Sequence, residues 1–199
     1  MNKKNNLSLC VVIIALFIAT ITYLFYSNNK SGAGQSDLKK NTVVNNFVGD
    51  KAPDFSLQDI NGKTVTLHSF DGKNVILFFN EGQMCYPACW NQIDKLGNDP
   101  RFNSTDTVAF SIVVDTPAQW KEIESEMPQF KSANILFDVD RAVSSQYGVL
   151  SMASSMHPGS FPGHTYFVID KKGIIRFFLD DPNMAIRNDQ LADEINKLK

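Results

Sequence analysis

Two cysteines four positions apart, Cys85 and Cys89, are the residues whose type and spacing promise chemistry in this sequence. A thiolate is a nucleophile and a soft metal ligand, and two within reach of each other interconvert between dithiol and disulfide. The chain has three cysteines, and Cys10 lies in an apolar run, so Cys85 and Cys89 are the only two in the remainder. A disulfide scaffold would use several widely spaced cysteines, whereas this pair reads as a local reactive site. One turn apart on a helix, the two Cα atoms would be roughly 6 Å apart, which a disulfide can span. The blander alternative is a pair of inert buried thiols or a static disulfide.

The segment from Phe78 to Trp90 must position them. A buried strand is expected to end at Asn80, a short loop holds Gly82, and a helix is expected to start near Cys85. Pro87 would then fall in the first turn, where a missing N–H costs little. Trp90, Ile93 and Leu96 supply the apolar spacing of that helix. A helix amino terminus presents unpaired N–H groups and so lowers the pKa of a thiol placed there. In this geometry Cys85 attacks and Cys89 resolves.

Around the pair, strand and helix signals alternate. Asn61-Gly62 is a turn, and Val65 and Leu67 follow at period two. Val75 to Phe79 and Val108 to Val114 are continuous apolar runs, expected of strands buried on both faces. Thr116-Pro117 opens a helix with Trp120, Ile123 and Met127 on one face. Ile135 to Phe137 is a third short strand, and Arg141 to Tyr147 a helix stopped by Gly148. Tyr166 to Ile169 and Ile174 to Phe178 make a hairpin about Lys172-Gly173, and Asn188 to Leu198 a last helix with Leu191, Ile195 and Leu198 inward. This order predicts an α/β fold, a central sheet with helices on both faces.

The chain of 199 residues suits one domain plus an appendage, and its net charge of -2 without a basic block gives no reason for a nucleic-acid partner. The appendage is Leu7 to Tyr26, twenty residues free of charge and proline, enough to cross a bilayer core of roughly 30 Å. Lys3 and Lys4 precede it, so residues 1–6 are expected to be a cytoplasmic stub, 7–26 a single-pass transmembrane anchor, and the rest extracytoplasmic. A cleaved signal peptide ending near Ser31-Gly32-Ala33 is the competing reading and gives the domain the same address. Cys10 fills the apolar run; it follows Leu9, which does not suit a lipoprotein box. Residues 27–46, rich in Asn, Ser, Gly and Lys, read as a flexible linker, and 47–199 as the folded domain.

Val48-Gly49-Asp50-Lys51-Ala52-Pro53-Asp54-Phe55-Ser56-Leu57 resembles the opening of the AhpC/TSA (peroxiredoxin) and redoxin families. Gly72-Lys73 before the Val75 to Phe79 run, Val113-Val114-Asp115, and Phe167-Val168-Ile169-Asp170-Lys171-Lys172-Gly173 continue the resemblance over nearly the whole domain. It implies a thioredoxin-like fold, thiol-dependent redox activity, and a thiol or disulfide partner in place of a cofactor. Peroxiredoxins also carry a Pro-x-x-x-Thr-x-x-Cys signature that orders the peroxide. Counted from Cys89 those positions hold Gly82 and Tyr86, and counted from Cys85 they hold Phe78 and Gly82. His164 stands where peroxiredoxins place an arginine before the Phe-Val-Ile-Asp strand.

The TlpA/ResA-type thiol–disulfide oxidoreductases share the tethered architecture, with Cys-x-x-Cys and a cis-proline before the same strand; here the nearest proline is Pro162. Sco-type copper chaperones are similar in their Cys-x-x-x-Cys and downstream histidine. That likeness implies a copper site of Cys85, Cys89 and His164, with Met152, Met156 and His157 as further soft ligands.

The expected function is therefore a membrane-tethered thiol-dependent oxidoreductase that exchanges disulfides through Cys85 and Cys89, with weak peroxide reduction beside it; the alternative is a copper(I)-binding chaperone. His164 reads as a proton shuttle, a copper ligand or a surface residue. Ser151 to Gly163 reads as a mobile loop able to cover the cysteines. Glu81 reads as an aid to proton transfer or a solvated loop carboxylate. Trp90 reads as a shield for the disulfide or a core aromatic, and His68 as structural.

Overall fold

Apolar runs too long for an amphipathic strand require cover on both faces, and the sheet supplies it. The computed structural model describes residues 47–198. The elements in chain order are β1 (Ser56–Asp59), β2 (Thr64–Thr66), β3 (Asn74–Phe79), α1 (Ala88–Asn98), β4 (Thr107–Val113) and α2 (Pro117–Glu126). They continue with β5 (Ile135–Phe137), α3 (Ala142–Gln146), β6 (Thr165–Ile169), β7 (Ile175–Asp180) and α4 (Asn188–Asn196). Among the described residues no helix is long and apolar enough to cross a membrane. The expected stub, anchor and linker, residues 1–46, lie outside the described residues.

The strands form one sheet in the order β2-β1-β5-β4-β3-β6-β7. β3, β4 and β5 run parallel, while β6 pairs antiparallel with β3 and β7, and β1 antiparallel with β5 and β2. All six residues of β3 are buried, as its apolar run requires. Because side chains alternate along a strand, Val75, Leu77 and Phe79 join one core with Val143, Tyr147 and Val149. Ile76 and Phe78 join the other with Ile93, Leu96, Trp120, Ile123, Leu191 and Ile195. Helices α1, α2 and α4 therefore cover one face, and the N-terminal segment with α3 the other.

The expected helix after Thr116 forms with a capping box, Thr116 and Gln119 bonding each other's backbone N–H. The expected β6–β7 hairpin turns on Asp170, whose Oδ1 accepts from the N–H of Lys172 and Ile174 at 2.8 and 3.0 Å. The helix at the cysteines begins later than expected. A 3-10 turn spans Gly82–Met84, and α1 starts at Ala88 with Pro87 at its N-cap, following a cis Tyr86–Pro87 peptide. Cys85 thus sits in the turn before the helix and Cys89 in its first turn.

Candidate active site

The parallel strands β3 and β4 end side by side, and their ends build the floor of the site. Asn80 closes β3 by accepting the N–H of Gly82 at 2.9 Å. Gly82 adopts φ +58°, and a Cβ there would collide with the Asp115 carboxylate, so glycine is required by both backbone and space. Asp115, at the end of β4, accepts the Gln83 N–H and the Trp120 indole N–H, each at 2.8 Å. Burial nonetheless pushes its carboxyl pKa up. The loop bearing the cysteines is thereby tied to β4 and α2. Trp90 donates to Gly82 O at 3.2 Å and packs against Trp120 and Phe130, which makes it a core aromatic.

Cys85 and Cys89 form a disulfide with Cα atoms 5.3 Å apart. The Cys89 N–H donates to Cys85 O at 3.0 Å, which closes the connecting turn. Both cysteines are buried, at 2% and 1% exposure. His164, one residue before β6, is buried beside them, its Nδ1 3.6 Å from Cys89 Sγ. Its Nε2 is 2.8 Å from the Tyr166 hydroxyl, which donates to Ala185 O at 3.5 Å. Phe78 stacks on Tyr166 and meets His164 edge-on. Burial lowers the His164 pKa to about 4, while the nearby charge of Asp181 opposes the fall. The same burial pushes the Tyr166 hydroxyl well above its ordinary value, so it stays protonated.

Two loops enclose this group. The connection from β7 to α4 brings the Met184 thioether to 3.9 Å from Cys85 Sγ, with Met184 itself at φ +47°. That connection is held by Asp181, whose two oxygens accept from the Arg187 guanidinium at 2.7 Å each. It is also held by Gln92 of α1, which accepts the Arg187 N–H at 2.8 Å and donates to Asn188 at 2.8 Å. The second loop is Ser151 to Gly163, expected from the sequence as a cover for the cysteines; its bonds run to the residues beside them. It is pinned to Glu81, which accepts from the N–H of Met156 and His157 at 2.6 and 3.1 Å and from the Ser155 hydroxyl at 3.1 Å. His157 Nδ1 lies 2.9 Å from the second oxygen of Glu81. Glu81 is thus buried and engaged with this loop, and the solvated carboxylate expected from the sequence is corrected. Asp180 holds the same loop through Ala153 and Ser154, and Arg141 through Ser160 O.

Of the residues singled out in the sequence, Cys85, Cys89 and His164 converge. Met152 packs into the opposite core, Met156 is exposed, and His157 serves Glu81. His68 pairs with Asp54 on the surface. Tyr166, Met184 and the Asp181–Arg187 pair were missed. Tyr166 was legible, because period two along β6 puts it on the same side as His164; Met184 and Arg187 carry no local signal for a contact with elements about a hundred residues earlier.

A cysteine pair at the junction of a central strand and a helix, on a mixed sheet covered on both faces, defines a thioredoxin-like thiol oxidoreductase. The comparisons with known proteins narrow that class. The AhpC/TSA family profile matches residues 48–178. The chain is 34% identical over 138 residues to alkyl hydroperoxide reductase E of Mycobacterium tuberculosis, covering 65% of this chain and 82% of that one. It is 32% identical over 143 residues to peroxiredoxin Bcp of Escherichia coli, covering 67% and 85%. Peroxidoxin BcpB of Mycobacterium tuberculosis shares the fold with a TM-score of 0.62 at 19% identity, over 76% of this chain and 97% of that one. The chain belongs to the AhpC/TSA family, and it is a thiol-dependent oxidoreductase.

Proposed function

We propose that Cys85 and Cys89 are the working pair, that they exchange disulfides with a thiol or disulfide partner, and that peroxide reduction is the weaker activity. The observation that carries this reading is the buried imidazole of His164 beside Cys89 Sγ, at 3.6 Å. In the reduced protein the Cys85 thiolate attacks a partner disulfide, forming one S–S bond and releasing one partner thiolate. Cys89 then gives up its proton, attacks Cys85 Sγ, and closes the intramolecular disulfide as the second partner thiolate leaves. Two electrons pass to the partner, and a second dithiol restores the pair by the reverse steps. In the tautomer assigned here His164 Nε2–H donates to the Tyr166 hydroxyl, 2.8 Å away, and the Nδ1 lone pair is left toward Cys89. That lone pair is the base for the Cys89 proton. Peroxide reduction ranks second because neither cysteine frame offers the Pro/Thr pair.

The proposal includes the tether: residues 7–26 anchor the chain in the membrane and the domain works outside the cytoplasm, supported by the uncharged run and the lysines before it. The deciding experiment compares turnover of an oxidised dithiol substrate with turnover of hydrogen peroxide, using full chain and the Cys85→Ser variant. Disulfide turnover that exceeds peroxide turnover and vanishes in the variant is expected. Peroxide turnover in excess, or activity retained by Cys85→Ser, overturns the reading.

One observation favours a second reading. The ligand atoms of Cys85, Cys89 and His164 lie within 4.8 Å of one another, and two thiolates with an imidazole suit Cu(I). The sulfurs become available as ligands only after the disulfide is reduced. Titration of the reduced chain with Cu(I) tests this, and unchanged affinity in His164→Ala ends it.

A further inference from the structure

The segments around the disulfide, its rim, bring no formal charge of their own. Three stretches flank it: Gly82 to Gln92, which carries it, Ser151 to Gly163, which is bonded to Glu81 four residues before Cys85, and Pro182 to Ile186, which touches it. None contains Asp, Glu, Lys or Arg, although 20% of the chain is charged. The first and third touch through the Cys85–Met184 contact, and the second is pinned to Glu81 just before the first. The charges at their borders are engaged elsewhere. Glu81 and Asp181 are buried, Arg187 is paired with Asp181, Asp180 receives the amides of Ala153 and Ser154, and Arg141, which reaches the second stretch, donates to Ser160 O and lies over the Phe161 ring. Of the six large hydrophobic side chains exposed among the described residues, four stand on these stretches: Met84, Tyr86, Met156 and Ile186, each at least half exposed.

Exposed apolar groups scattered singly are ordinary, but a set gathered on segments around a reactive group marks an interaction surface. Tyrosine and methionine are also enriched, and charge depleted, at the centres of protein interfaces. We infer that this rim docks a protein segment that presents a reduced cysteine between apolar, uncharged neighbours. This inference rests on the redox reading of Cys85 and Cys89 and names the kind of reductant that site takes. The occupant must bring a thiol, because the disulfide lies at the centre of the rim. It must displace Met184 to reach the Sγ of Cys85, a residue only 2% exposed, and apolar contact with Met84 and Ile186 offsets that displacement. The partner thiolate then bonds to Cys85 Sγ, the Cys85–Cys89 bond breaks, and the Cys89 thiolate takes a proton. A second partner thiol closes the partner's own disulfide and frees Cys85.

The test measures reduction of the oxidised full chain by three short cysteine peptides, with rates corrected to the thiolate. Their cysteines are flanked by leucine and valine, by aspartate, or by lysine, and dithiothreitol serves as the size-independent control. The apolar peptide is expected to react about tenfold faster than either charged one, the gain from burying roughly one apolar side chain. In the double variant Met84→Lys/Ile186→Lys that lead should vanish and the acidic peptide should become the fastest. Equal rates for all three peptides with the unaltered chain overturn the inference. So does a finding by sedimentation that the double variant splits a dimer, since the rim would then be covered by a second copy. Failure of dithiothreitol itself to reduce the pair is a distinct outcome and brings down the redox reading beneath it.

Discussion

His164 Nδ1 stands 3.6 Å from Cys89 Sγ in a site that water scarcely reaches. A thiol there loses its proton to the imidazole or keeps it, since no carboxylate of the site faces Cys89 among the bonds described. Replacing His164 with alanine is therefore expected to slow disulfide turnover on the order of 10²-fold, the usual worth of a positioned proton acceptor. The rate should recover as pH rises toward the ordinary thiol pKa. A turnover profile from pH 6 to 9 on both proteins checks this, and parallel profiles would remove His164 from the mechanism.

Burial sets a pH dependence of stability with a definite sign. In the fold His164 titrates at about 4, whereas the unfolded chain takes up that proton near 6.5. Between those values the unfolded state binds more protons, so stability rises with pH. The contribution is complete above about pH 6.5, falls as pH drops toward 4, and amounts to about 3 kcal/mol. Denaturant unfolding of the disulfide form at pH 7 and 4.5 should show most of that loss, and His164→Leu should not. Asp181, whose carboxyl is held below its ordinary range, loses its contribution at lower pH in both proteins.

Glu81 holds the middle of the Ser151 to Gly163 loop, between the Asp180 bonds to Ala153 and Ser154 and the Arg141 bond to Ser160 O. In Glu81→Ala the Ser155 hydroxyl keeps Phe161 O and the His157 N–H keeps the Ser155 hydroxyl, but the Met156 N–H loses its 2.6 Å acceptor. The expected cost is about 2 kcal/mol. Amide exchange at Met156 and His157 should accelerate well before exchange in β3. Unchanged protection at Met156 would mean that Asp180 and Arg141 hold the loop unaided.

These predictions draw unequally on sequence and structure. Element order, the two-faced sheet and the cysteine pair were all legible in apolar period and spacing. The buried run Val75 to Phe79 and the Thr116 cap are local signals that tertiary context left intact. The helix start was not legible, because Gly82 and Pro87 both punctuate the chain, and the 3-10 turn between them leaves Cys85 outside the helix. Glu81 read as a surface carboxylate because its donors lie some seventy-five residues downstream, where no periodic pattern points back. The histidine was legible only as a position before a strand. Its neutral state depends on Phe78, Tyr166 and the β7–α4 connection closing around it, which is packing and not pattern.

The Asp181–Arg187 pair should control the electrostatics of His164 from the rim of the site. Asp181 accepts the guanidinium through both oxygens and receives the N–H of Asn183 and Ala185, so it shapes the segment that carries Met184. Its charge favours the imidazolium of His164, and that of Arg187 disfavours it. Asp181→Asn should therefore push the His164 pKa below about 4, since it removes the supporting charge and leaves the opposing one. Arg187→Gln should raise it, for the converse reason. Both variants lose a largely buried ion pair and should be destabilised by about 3 kcal/mol, so stability alone does not separate them. The ring proton shifts of His164 followed by NMR across pH 3 to 7 do separate them, because the two titrations must move in opposite directions. If both variants move the midpoint the same way, desolvation has changed through a shift of the loop, and the pair acts on His164 by position alone.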